Sequence, residues 1–80
     1  TAYLQAVHRE VERRSRIPRA SPGGFGSDIE GWVPPEVWDR VHALLREASS
    51  LLHDHNAPPR TEGTLHVSAT LTAFSLEAPR

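Results

Sequence analysis

The closing stretch of the chain constrains its fold more than any other part. Residues 64–76 (TLHVSATLTAFSL) alternate apolar and polar side chains with neither Gly nor Pro among them. That two-residue period belongs to a strand with one covered face. Thirteen residues would reach roughly 40 Å in extended form. The rest of the sequence offers only one short strand to pair with it, so most of its hydrogen-bonding edge would stand open. Open edges aggregate unless something covers them. A second copy of the chain is the simplest cover, and the pattern predicts a homodimer.

Within that segment Leu65, Val67, Ala69, Leu71 and Ala73 hold the apolar positions, opposite His66, Ser68, Thr70 and Thr72. After Thr72 the order flips, and Phe74 and Leu76 become the apolar members. The flip predicts either a bulge near Ala73 or a strand end buried on both faces by a partner.

The 80 residues predict one small domain. A core that size rarely supplies more than about 3–5 kcal/mol without disulfides, metal or oligomerisation. Cysteine is absent, which removes disulfides and thiolate metal sites and leaves oligomerisation as the expected support. A net charge of −1 gives no global electrostatic case for nucleic acid or an anionic membrane. No apolar run approaches the roughly 20 residues that span a bilayer, and a cytoplasmic location is expected. The absence of Met predicts that the chain is a piece of a longer or processed protein.

Along the chain, Tyr3, Leu4, Val7 and Val11 fall at helical spacing, with Glu10–Arg14 and Glu12–Arg16 placed for i,i+4 ion pairs. Ile17-Pro18 ends that helix. Residues 1–18 are therefore expected to be a linker helix that starts upstream of Thr1. Residues 19–27 (RASPGGFGS) read as a loop, and 28–33 as a short strand with Gly31 at a bulge or close approach.

Pro34-Pro35-Glu36 opens the main helix, since Pro suits its first position and Glu its positive end. Val37, Val41, Leu44, Ala48, Leu51 and His55 follow at alternating steps of four and three, with Trp38, Leu45 and Leu52 in a second row beside them. Glu36–Arg40 is a further candidate ion pair. Asn56 and Pro58-Pro59 stop the helix, and residues 60–63 turn the chain. The expected fold class is α+β: a small α-β-α-β domain, with the linker helix followed by a strand–helix–strand unit over residues 19–80. The sequence leaves open whether the strands pair within one chain or between two.

Two segments together resemble a known family. One is the loop–strand–helix run GFGSDIEGWVPPEVWDRVHALL, and the other is the closing LHVSATLTAFSL. They are similar to the C-terminal region of actinobacterial ArsR-like winged helix-turn-helix transcriptional regulators. The resemblance covers about 60 residues. It departs from the family pattern where Pro34 stands in place of a Thr cap and where Thr64-Leu65 replaces Arg-Pro. It implies a dimerisation and effector-sensing domain, with DNA reached only through a winged helix that residues 1–80 do not contain.

Candidate site residues follow from these readings. Phe25, Trp32, Trp38 and Phe74 are the candidate lining of a small-molecule effector site. Leu65, Val67, Leu71, Phe74 and Leu76, with Val41 and Leu45 from the main helix, are the candidate dimer interface. The cluster of Arg9, Arg13, Arg14, Arg16 and Arg19 reads as a solvated face paired with Glu10 and Glu12. His53, Asp54 and His55 read as helix-end residues, so no metal or other cofactor is expected. The sequence shows no nucleophile with a base beside it, and an enzyme is not expected. The alternative function is a stand-alone module that binds a small molecule or metal and has no connection with DNA.

Overall fold

The computed structural model describes residues 1–20 and 23–77. Ser21 and Pro22 of the expected loop, and residues 78–80, lie outside the described residues. The chain divides into two units, Thr1–Glu30 and Gly31–Arg80.

The first unit is built on α1 (Ala2–Ser15). No capping box opens it, but the Thr1 hydroxyl alone accepts the Leu4 amide at 3.2 Å, satisfying one of the donors a helix start leaves over. Arg13 and Arg14 occupy the last turn, where positive charge meets the negative end of the helix. The Arg16 and Ile17 amides then bond back to the Arg13 and Arg14 carbonyls at 3.2 and 3.1 Å, tightening the exit before Pro18.

The second unit is built on α2 (Pro35–Asp54), whose start and stop match the expectation. Pro34 sits at the cap with an extended ψ of 144°. Its carbonyl receives the Val37 and Trp38 amides, each at 3.0 Å. Pro35 takes the first position, where its missing N–H costs nothing. At the far end the His55 amide closes on the Leu51 carbonyl at 3.2 Å.

Two reverse turns follow. The Thr61 amide bonds the Pro58 carbonyl at 3.2 Å and the Thr64 amide bonds the Thr61 carbonyl at 3.3 Å. The third residue of each turn has a left-handed backbone, Arg60 at φ 63° and Gly63 at φ 80°, the sign that a type II turn demands there.

The expected α+β fold is overturned. Among the described residues there are two helices and no strand. Residues 28–33 and 64–76 carry no ladder, so the strand–helix–strand unit and the bulge near Ala73 fall with it. The physical reason is that a two-residue period reports which side chains are apolar and says nothing about a partner for the backbone. Pairing 28–33 with 64–76 would also close a loop of about thirty residues before the first bond returned anything. A helix such as α2 needs only its own neighbours four residues away. Gly31 and the adjacent Pro34 further weaken the shorter candidate.

No described residue is buried. No core forms among them: Val7, Trp38, Leu45 and Ala48 are half-buried, and the other large apolar side chains of both helices and of the closing segment are exposed.

Candidate functional site

The strongest feature of the surface is the apolar row on α2. Val37, Val41, Leu44 and Leu51 recur at steps of four, three and seven, which places them on one side of the helix. All four are exposed, from 37% at Val41 to 56% at Leu51. Ala48, between Leu44 and Leu51 in the same row, is half-buried, as are Trp38 and Leu45 in the row beside it, while Leu52 is exposed. The helix thus carries one partly covered row and one open row, side by side. Fully covering a Val or Leu side chain is worth about 1.5–3 kcal/mol, so the open row is the largest unspent source of stability on α2.

The interface candidates separate on this map. Val41 lies in the open row and Leu45 in the half-buried one. Leu65, Val67, Leu71, Phe74 and Leu76 are all exposed along the closing segment. Val37, Leu44 and Leu51 lie outside the interface expected from the sequence, although their helical spacing puts them in one row with Val41.

The effector candidates are not walled. Phe25 is 96% exposed and Trp32 86% exposed, and Phe74 also faces solvent. Trp38 alone among the four is half-buried, and its place is in the α2 row with Leu45. Their aromatic surface is available for contact, but the cover expected of a small-molecule site is missing from three of the four residues.

The charged face of α1 forms much as expected. Arg13 Nε donates to both carboxylate oxygens of Glu10 at 3.1 and 3.3 Å. Arg14 lies 3.8 Å from the same carboxylate and donates to the Glu10 carbonyl at 3.3 Å. Glu10 thus takes its closer partner at i+3 rather than at the expected i+4. Arg16 holds Glu12 at 2.8 Å. The bond from Arg13, with the nearby positive charges of Arg13 and Arg14, keeps the Glu10 carboxyl below its ordinary 4.5. Arg19 reaches the Gly23 carbonyl at 3.2 Å. The expected Glu36–Arg40 pair does not form. An exposed pair of this kind gains at most a few tenths of a kcal/mol, about what ordering two long side chains costs.

At the end of α2 the His55 ring nitrogen Nδ1 lies 2.9 Å from the Leu51 carbonyl, which fixes the ring against its own helix. His53 occupies the last turn. Among the described residues no three His, Cys, Asp or Glu side chains gather where they could share a metal ion. No helix among them is long and apolar enough to cross a membrane.

Comparison with family models, with curated proteins and with solved structures finds no match to this chain. The resemblance to ArsR-like regulators therefore stands on its motifs.

Proposed function

We propose that this chain is a non-catalytic association region that works by pairing with a second copy of itself in the cytoplasm. The observation that carries this reading is the open row Val37, Val41, Leu44 and Leu51 on a well-formed twenty-residue helix. A helix of that length without apolar cover is marginal in water, and burial of the row between two copies supplies what the single chain lacks. The pairing role passes in this way from the closing segment to α2.

The wider role rests on the resemblance. In a winged-helix regulator a pairing region of this kind would fix the distance between two DNA-reading domains, and thereby the spacing of the half-sites they read. The exposed aromatics Phe25, Trp32 and Phe74 would be available to an effector that shifts the pairing.

Two measurements separate these levels. Sedimentation equilibrium of the 80-residue chain should show a dimer forming between about 10 and 300 µM, and a monomer throughout would remove the association reading. The coding sequence upstream of Thr1 should specify a winged helix-turn-helix; any other pattern there removes the regulator role and leaves the association intact.

A further inference from the structure

We propose that two copies of α2 pair antiparallel, about a two-fold axis passing beside Arg46; this deepens the association reading above and rests on it. The open row fixes the arrangement by simple arithmetic. In an antiparallel pair the facing residues of the seam have a constant sum of positions, with the two flanking rows offset from it by two, and a sum of 92 seats the row of one copy on that of the other, with Val37 reaching the His55 cap. Val41 meets Leu51 of the second copy, Leu44 meets Ala48, and Val37 meets His55. Each layer joins a larger side chain to a smaller one, the interdigitation that fills a helix–helix seam without voids. Both Leu51 residues are covered, and they are the most exposed of the row at 56%.

The flanks decide between orientations. On one flank Trp38 faces Leu52 of the second copy and Leu45 faces its twin, so the apolar second row is continued. On the other flank Arg40 faces Asp54 of the second copy, twice by symmetry, and Glu47 faces its own twin on the axis. A parallel pair would instead set Arg40 beside Leu45 and Glu47 beside Leu52, leaving the charges without partners and the apolar row at the rim. It would also stack Ala48 on Ala48, opening a gap in the seam. Sliding the antiparallel pair by one heptad would bring Arg40 to Glu47, but both Leu51 residues would leave the contact. Apolar cover of two leucines outweighs exposed ion pairs, so the register centred on residue 46 is preferred, with the Glu47 pair as its cost.

The chain has no cysteine, so single introduced thiols report orientation directly. Val41→Cys and Leu51→Cys chains, one carrying a mass tag, would be mixed as full-length protein and mildly oxidised. In the antiparallel pair each introduced thiol lies about 15 Å along the axis from its own twin, beyond the roughly 7 Å reach of a disulfide. The mixed species, 41 to 51, should then make up most of the linked material. Predominance of 41–41 and 51–51 species would overturn the orientation while leaving the association standing. A monomeric wild-type chain at 300 µM would overturn both.

The second measurement keeps the seam intact. Arg40→Glu should weaken the dimer about 3- to 10-fold in sedimentation equilibrium. Adding Asp54→Arg to the same chain should restore most of the loss. Failure of that rescue, with the single variant weakened, would also overturn the antiparallel arrangement.

Discussion

At the scale of single residues, the chain relies on short-range bonds because none of its described residues is buried. Glu10 is the clearest case, since its charge is held by Arg13 and supported by Arg14. A carboxyl whose folded pKa is depressed contributes stability above its unfolded value and loses it as pH falls through the folded one. The ellipticity of α1 should therefore be constant above about pH 5 and decline as acid takes Glu10 through its lowered pKa. The decline should be smaller in Glu10→Gln. A circular dichroism titration of both chains checks this, and equal curves would show that the Arg13 bond is not formed in solution. A second residue-scale effect lies in the turns. Arg60 holds a left-handed φ of 63° that costs a non-glycine residue about 1 kcal/mol, so Arg60→Gly should stabilise the Pro58–Thr61 turn and strengthen the Pro58–Thr61 cross-peaks in nuclear Overhauser spectra. Gly63→Ala, at φ 80°, should act in the opposite direction on the next turn.

At the scale of elements, helices were legible and strands were not. The ends of α2 could be placed from Pro34-Pro35-Glu36 and from Asn56 with the prolines beyond, because each of those residues acts on backbone groups within one turn of itself. Ile17-Pro18 marks the end of α1 for the same local reason. Residues 64–76 misled because alternation is necessary for a half-covered strand without being sufficient: its other requirement is a neighbouring strand, which alternation does not report. The open row of α2 was visible as alternating steps of four and three, and what the sequence lacked was its exposure. If that row pairs with a copy of itself, helicity must depend on concentration. The 222 nm signal per residue should rise between about 10 and 300 µM and level off when dimerisation is complete. Glu47→Gln, which removes the like charges facing each other across the axis, should shift that rise to about 2- to 5-fold lower concentration, in keeping with a few tenths of a kcal/mol to 1 kcal/mol for an exposed charge pair.

At the scale of the whole molecule, the lack of any buried residue among those described has a thermodynamic signature. The sensitivity of unfolding to urea grows with the surface that unfolding exposes, and small proteins with a core give about 1–3 kcal/mol/M. A single copy of this chain has little left to expose beyond half-buried side chains such as Val7, Trp38 and Leu45, so its transition at about 5 µM should be broad, with a slope well under 1 kcal/mol/M. Association changes that balance, since melting the dimer must expose Val37, Val41, Leu44 and Leu51 on both copies. At about 300 µM the transition should steepen, and its midpoint should climb with concentration, as mass action requires of a folded state made of two chains. Leu44→Asp separates this from crowding or aggregation. It sets a charge in the middle of the row while disturbing nothing buried in the single chain, so the variant should keep the shallow slope at every concentration. A steep, concentration-independent transition in the wild-type chain would mean that a core exists within one copy, and the reading of α2 as an unfinished half of a larger contact would have to be given up.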